Sequence, residues 1–255
     1  MVKQSKSIEI LDYLSVDNIF PFPIITVKNG NLYSIQVDKD GYIHRYVMFQ
    51  KDVFKEIEGN DESVKIDAEK VRKFIGYGKA DDIVLLQYPS PKSANKIMVH
   101  VGRFKTHFAV TKIDKGELKT GLPFKLNDGV PYLHKVETNL DTHITVSLKS
   151  FKDMVLRASG HGTEFYRFKI GKDRKLEVLV GDIHELEDFT SAELNSVVNT
   201  TNEELDVTYA VGIKELAKVM SKDVEIRTRS GMPAWISEMS HNHKFGMLIP
   251  PVRGE

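Results

Sequence analysis

The sequence of 255 residues contains no cysteine, which excludes disulfide bonds, thiolate zinc sites and cysteine nucleophiles. It also lacks any apolar run of about 18 residues, so we expect no transmembrane helix. The first residues place the acidic Glu9 inside a short apolar run, which is not typical of a secretory signal. The simplest expectation is an intracellular protein that is not held in a membrane.

Net charge is absent as well, because 36 lysines and arginines balance 36 aspartates and glutamates. This balance excludes a uniformly basic coat for nucleic acid, although it leaves room for local basic patches. Apolar residues make up 41% of the chain, which argues against disorder and is enough for one large core or two modest ones.

Most of the chain has the pattern of β-strands. Two β-rich runs, 24–27 and 32–37, flank the Asn29-Gly30 pair, and this arrangement is the strongest short signal for a hairpin. The other predicted strands are 45–50, 83–88, 96–101, 107–113, 143–148, 164–170, 175–180, 206–211, 224–228, 234–239 and 245–249.

Helical periodicity is confined to four short segments, residues 7–14, 67–77, 148–158 and 212–221. In the third, apolar residues recur from Phe151 onward with the spacing i, i+3, i+4, i+7, which predicts one buried stripe. The fourth segment repeats this spacing.

The order of these elements predicts an α+β plan that is used twice. Residues 1–121 and residues 138–255 each alternate strands with two helices, although the two halves share little obvious sequence identity. The segment 122–137 is rich in turn residues and is predicted to connect an N-terminal domain to a C-terminal domain.

Basic residues are predicted to lie on the helix faces opposite the apolar stripes. A solvated surface explains any one such helix, but three similar helices indicate a shared basic surface that could contact phosphate groups. In contrast, residues 181–206 contain eight acids and no lysine or arginine, which is typical of either a DNA-repelling surface or a solubilising loop. The candidate DNA-contacting residues are Lys70, Lys73, Lys149, Lys152, Arg157, Lys214 and Lys218.

The last third of the chain resembles the DNA sliding clamps of the proliferating cell nuclear antigen type. Residues 207–220 resemble the strand and final helix of a clamp, and the Met232-Pro233 pair resembles the start of its next strand. Residues 150–182 and 66–82 resemble the corresponding parts of the second and first clamp domains. The order of the motifs and the length of the chain support the resemblance more than any single motif.

The resemblance implies a ring-forming protomer with two similar domains, each with antiparallel sheets outside and two helices on the inner face. It further implies a homotrimer that encircles double-stranded DNA inside the cell and tethers a DNA polymerase, with a clamp loader as a second partner. No catalytic residue, metal or cofactor is implied. The resemblance also implies a groove for partner peptides, which would include Val37, Tyr42, Leu118, Leu122, Pro233, Ile249 and Pro250. At each of these positions, the alternative is that the side chain packs within its own domain.

Some features depart from cellular clamps and indicate a divergent clamp, with a viral or phage origin as one alternative. The first helix begins almost at the N-terminus and carries acids, and the tail reads Pro250-Pro251-Val252 where cellular clamps have alanine, proline and lysine. Two other classes stay open: a clamp-like subunit of viral transcription or of a hetero-oligomeric ring, and an unrelated α+β enzyme. The letters of a nuclease motif occur in His241-Asn242-His243, but at a predicted turn and without a metal-ligand cluster.

Overall fold

A computed structural model describes residues 1–59, 62–114, 117–118, 124–127, 130–134, 140–158, 165–181, 190–194, 196–200, 204–210 and 212–252. The chain divides into two compact units. Unit 1 comprises Met1–Asp38, Arg45–His134 and His241–Phe245, and unit 2 comprises Lys39–His44, Lys135–Ser240 and Gly246–Glu255.

Unit 1 contains two α-helices, α1 (Gln4–Ser15) and α2 (Ala68–Ile75), and a 3-10 turn at Lys51–Val53 in its described part. One antiparallel sheet has the order β1-β6-β7-β8, and the other strands follow the order β4-β3-β2-β5-β9, with β10 and β11 as a separate hairpin. Their bounds are β1 (Val2–Lys3), β2 (Ile24–Lys28), β3 (Asn31–Val37), β4 (His44–Phe49), β5 (Ser63–Lys65), β6 (Ile83–Gln87), β7 (Lys96–Val101), β8 (Phe104–Ala109), β9 (Thr111–Ile113), β10 (Phe124–Asn127) and β11 (Val130–Leu133).

Unit 2 repeats this plan, with helices α3 (Leu148–Ala158) and α4 (Ile213–Val219). One antiparallel sheet has the order β15-β14-β13-β17, and the other strands follow the order β16-β12-β18-β19-β20. Their bounds are β12 (Thr142–Val146), β13 (Phe165–Ile170), β14 (Leu176–Gly181), β15 (Thr190–Glu193), β16 (Ser196–Thr200), β17 (Leu205–Tyr209), β18 (Val224–Thr228), β19 (Ala234–Met239) and β20 (His243–Ile249), and the first three residues of β20 are counted with unit 1.

The predicted helix stripes form the core beneath the helices. Phe151, Met154 and Val155 are buried on α3, and Ile213 and Leu216 are fully buried on α4. The helices therefore turn their charged residues away from the sheets, as amphipathic helices on a core do.

Some elements differ from the sequence-based prediction. The predicted strand 107–113 is two strands, β8 and β9, and the predicted connector contains the β10-β11 hairpin. The edge strands β15 and β16 were not predicted, although Ser196–Thr200 pairs with β12 along its full length.

A fully buried cation, Arg45, lies in unit 1. Its guanidinium carbon is 4.5 Å from the centroid of the Phe20 ring, and its Nη2 donates a hydrogen bond to the Ser34 hydroxyl. Burial lowers the pKa of Arg45 to about 9, so the side chain stays charged at neutral pH. Its Nε and Nη1 have no hydrogen-bond partner among the described residues.

Replacing Arg45 with methionine is expected to leave the free energy of unfolding within about 1 kcal/mol of the wild type, or to raise it, because a buried charge carries a desolvation cost that methionine lacks. Arg45→Ala, which also removes the packing on Phe20, should lower it by about 3 kcal/mol. Urea unfolding of both variants tests this. Equal losses in the two variants would show that the charge itself stabilises unit 1.

Candidate nucleic-acid and partner-binding surfaces

The exposed cations of α2 are paired with carboxylates. Lys70 Nζ lies 2.9 Å from Asp67 Oδ2, and Lys73 Nζ lies 3.2 Å from Glu69 Oε1. Asp67 also begins the helix by accepting a hydrogen bond from the Lys70 backbone N–H at 3.0 Å. Both predicted DNA-contacting residues of α2 are thus exposed, but each already faces an acid of its own helix turn.

A third pair joins α2 to α1. Arg72 Nε lies 3.0 Å from Asp12 Oδ1. Burial raises the pKa of Asp12, and Arg72 acts in the opposite direction without cancelling this effect. The acids of the first helix therefore take part directly in the charge balance of this surface.

The two lysines in the first turns of α3 differ from those of α2 in their ion pairing. Lys149 is exposed and Lys152 is partly exposed, on the side away from the buried Phe151 stripe. Neither lysine has an ion-pair partner in the part of the chain that the structure describes. Side chains outside the helix fix its N-terminus, because Asp223 Oδ1 accepts from the Leu148 backbone N–H at 3.0 Å and the Ser147 hydroxyl accepts from the Ser150 N–H at 3.2 Å. Arg157 lies in the last turn of α3, and its side chain is outside the described part.

Helix α4 places Lys214 and Lys218 away from its buried residues, with Lys218 the more exposed. The helix begins at Gly212, whose φ of +94° lies in the left-handed region. A Cβ at this glycine would lie 2.8 Å from Met247 Cε, so both backbone and packing favour glycine there.

The predicted groove residues differ in accessibility. Tyr42 is 62% exposed, and Val37, Pro233 and Pro250 are partly exposed. Leu118 and Ile249 are buried, which corresponds to the packing alternative for these two positions. Leu122 lies outside the described residues.

The connector hairpin covers part of unit 1 in a way that the sequence analysis missed. The ring of Phe124 is buried and stacks on that of Tyr46, with centroids 5.7 Å apart and planes 18° apart. Burial raises the pKa of Tyr46, and a hydrogen bond with the Leu133 backbone acts in the opposite direction. The Asp-Gly pair at 128–129, between two β-rich runs, is the sequence signal that could have indicated this hairpin.

Replacing Phe124 with alanine is expected to loosen the β10-β11 hairpin, because the Tyr46–Phe124 stack anchors its first strand. Amide hydrogen exchange in 124–133 should accelerate by roughly tenfold or more, consistent with the loss of about 1.5 kcal/mol or more from a buried aromatic pair. Tyr132→Ala, which removes a 39% exposed ring from the same hairpin, is the control. Unchanged exchange in Phe124→Ala would mean that other contacts hold the hairpin.

An aromatic cluster lies beside the end strand β8. The rings of Phe74 and Phe108 are 5.9 Å apart, and that of Tyr77 is 6.3 Å from that of Phe104. Tyr77 is 69% exposed and Phe104 is 38% exposed. We call Phe74, Tyr77, Phe104 and Phe108 the β8 aromatic patch. Large contiguous apolar patches on a protein surface are typical of sites that bind a partner, which makes this cluster a candidate contact surface.

Lysines from β8, from β7 and from the segment before β7 surround His107 of β8. His107 Nδ1 is hydrogen-bonded to the Ser90 hydroxyl at 2.7 Å. Desolvation, together with Lys92, Lys105 and Lys96, lowers the pKa of His107. Three lysines therefore lie close enough to act on one imidazole.

The end strand of the corresponding sheet in unit 2 is β15, and its sequence neighbours are acidic where those of β8 are basic. β15 lies next to β14, with Ala192 opposite Val178, and directly follows the acid-rich stretch 182–189 in sequence. On the same unit, α3 presents Leu156 with 70% of its surface exposed.

The segment His241-Asn242-His243, which resembles a nuclease motif in sequence, does not form a catalytic site in the described part of the structure. His243 is buried, with its ring 4.9 Å from that of Tyr13, whereas His241 is exposed and lies 4.0 Å from Asp52. The described residues contain no group of three histidines or carboxylates that could hold a metal.

A cavity of about 540 Å³ in unit 1 is lined mainly by aliphatic side chains such as Ile25, Val84 and Ile97.

No protein-family model and no curated protein matches the sequence. Solved structures do match along the whole chain. PCNA from A. fulgidus, bound to the C-terminal region of FEN-1, has a TM-score of 0.75 at 15% identity over 100% of this chain and 98% of that chain. PCNA from Thermococcus kodakaraensis gives 0.75 at 14% identity over 99% and 98% of the two chains. The chain has the sliding-clamp fold.

Two further clamps extend the comparison. Proliferating Cellular Nuclear Antigen from Entamoeba histolytica has a TM-score of 0.75 at 12% identity, over 98% of this chain and 96% of that chain. A PCNA2-PCNA3 complex from Sulfolobus tokodaii has a TM-score of 0.72 at 14% identity, over 98% and 97%. The clamp fold predicted from the sequence resemblance is confirmed.

In the described residues, no helix is both long and apolar enough to cross a membrane.

Proposed function

We propose that this protein is a DNA sliding clamp, a processivity factor that encircles duplex DNA and tethers a polymerase. The clamp fold along the whole chain is the observation that carries the proposal. A clamp acts by topology and needs no catalytic group, metal or cofactor. The domain division at 1–121, 122–137 and 138–255 and the action on DNA inside the cell belong to the same proposal.

The candidate phosphate contacts are the lysines on the helix faces turned away from the sheets. Lys73, Lys149 and Lys218 are exposed, on α2, α3 and α4 respectively. Contacts from side chains to phosphates carry no sequence information, so such a surface would hold any duplex and let it slide.

Ring closure would use the two unlike sheet ends. β8 of one protomer would pair with β15 of the next, since unpaired strand edges are templates for another strand. The β8 aromatic patch would then meet the surface that carries Leu156. Such a head-to-tail contact gives a ring when its rotation closes, and the family resemblance favours three protomers.

Tethering would use the accessible groove residues. Tyr42, Val37, Pro233 and Pro250 offer side-chain surface to a short peptide from a polymerase or a clamp loader. The A. fulgidus neighbour is bound to the C-terminal region of FEN-1, which supports the attachment of a partner through a terminal segment. A tether raises the local concentration of the polymerase at the primer end without any new catalytic contact.

Native mass spectrometry combined with DNA retention tests the proposal. We expect a closed trimer that stays on circular duplex DNA after loading and leaves once the DNA is linearised. It should also lengthen the products of its polymerase. A monomer at micromolar concentration, or equal retention on circular and linear DNA, would contradict the proposal.

A hetero-oligomeric ring, acting in replication or in viral transcription, is the second candidate. The neighbour from Sulfolobus tokodaii is a complex of two different chains, which supports this alternative. In that case the isolated chain would be monomeric and would form a ring only with a second clamp-like chain from the same genome.

A further inference from the structure

The helix pairs of the two units differ in net charge. In unit 1, α1, α2 and the capping Asp67 carry four cations and four carboxylates. In unit 2, α3, α4 and Asp223, which accepts a hydrogen bond from the backbone N–H of Leu148 at the start of α3, carry five cations and three carboxylates, which leaves an excess of two positive charges. The cations of the unit 2 pair are Lys149, Lys152, Arg157, Lys214 and Lys218.

The contacts in unit 1 account for every cation of its helix pair. Arg72 pairs with Asp12, Lys70 with Asp67, Lys73 with Glu69, and Lys6 with Glu9. These carboxylates come from both helices and from the helix cap, so the neutrality is spread over the whole surface.

In unit 2, the two lysines in the first turns of α3 have no such partner. Lys149 and Lys152 form no ion pair with the described residues, although Asp153 is their neighbour in sequence.

This difference matters for binding to phosphates. An exposed ion pair adds little to stability, but it places a negative charge where a phosphate oxygen would have to come. DNA binding depends on how many phosphates a protein neutralises and how many counterions it releases. A paired lysine gains less from a phosphate, because it must first lose its carboxylate.

We propose that α3 of unit 2, through Lys149 and Lys152, is the principal phosphate contact of the protein, and that the α1–α2 surface of unit 1 is electrostatically neutral and contributes little. The inference rests on the proposed clamp function and identifies which of its helices hold the duplex. Each protomer would then contact DNA mainly through unit 2.

Two matched double variants test this assignment, each removing two exposed or partly exposed lysines from one helix. The first is Lys149→Gln with Lys152→Gln, and the second is Lys70→Gln with Lys73→Gln. Binding of the intact oligomer to a short duplex of mixed sequence is measured by fluorescence anisotropy over a range of salt concentrations. Native mass and thermal unfolding confirm that both variants are folded and assembled.

We expect the α3 variant to lose affinity on the order of tenfold or more and the slope of log affinity against log salt to fall by about 1 for each lysine that contacts a phosphate. The α2 variant should lose less than about twofold, with a nearly unchanged slope. Equal losses, or a larger loss in the α2 variant, would overturn the assignment while leaving the clamp proposal intact.

A gain-of-binding variant gives an independent readout. Asp12→Asn with Glu69→Gln removes the carboxylates that face Arg72 and Lys73, and it is expected to raise both the affinity and the salt slope. No gain would mean that the ion pairs do not limit phosphate contact, and this also contradicts the inference. If the assembled wild-type protein shows no salt-dependent duplex binding, the proposed function itself fails.

Discussion

Replacing Tyr77 with glutamate is expected to dissociate the proposed ring into folded monomers. Tyr77 is 69% exposed in the single chain, so its loss should hardly affect the stability of unit 1. A central aromatic residue of an interface contributes about 2 kcal/mol or more, which corresponds to a roughly thirtyfold weaker contact. A buried carboxylate weakens it further. Native mass spectrometry across protein concentrations measures the shift.

The matched control is Tyr42→Glu, which introduces the same charge in place of a 62% exposed tyrosine of the candidate peptide groove. It should leave the ring intact while weakening peptide binding. If both variants remain assembled, the β8 aromatic patch is not a protomer contact, and the proposed pairing of β8 with β15 is wrong.

Replacing Gly246 with alanine is expected to destabilise unit 2 by about 3 kcal/mol, because the site has no room for a methyl group. A Cβ there would lie 2.0 Å from Trp235 Cζ2 and 2.2 Å from Cη2, and Trp235 is itself buried. The unfolding midpoint should fall by roughly 10 °C. Tryptophan fluorescence gives a local readout, since Trp235 is the single tryptophan of the chain.

Gly171→Ala serves as the control for backbone entropy. A Cβ at Gly171 would lie 3.4 Å from Asp173 Oδ1, which is an ordinary contact, so the change should be neutral or slightly stabilising. If Gly246→Ala is as stable as Gly171→Ala, the indole of Trp235 can move aside at little cost.

The sequence predicted those features that depend on local periodicity. The strands 96–101, 224–228 and 234–239 have the predicted bounds, and the stripe that begins at Phe151 is buried. These segments were predictable because the alternation of apolar residues and the helical spacing act within a few residues.

The features that depend on distant partners could not be predicted in this way. Tyr46 and Phe124 meet across a long stretch of chain, and the pair between Asp12 and Arg72 joins two separate helices. The i, i+4 pair of Glu69 and Lys73 could have been read from the sequence, and it would have indicated that the basic face of α2 is already balanced.

The two unlike sheet ends have a consequence for mixtures of protomers. In a head-to-tail assembly, a chain with a damaged β8 still offers an intact β15 and can join one neighbour but not a second. A Tyr77→Glu chain would therefore end the growing assembly after one contact. When mixed with the wild type, it should prevent ring closure even where the variant is less abundant than the wild-type chain. Had the contact been symmetric, with the same surface on both sides, a single defect would only have removed the altered chain from the pool.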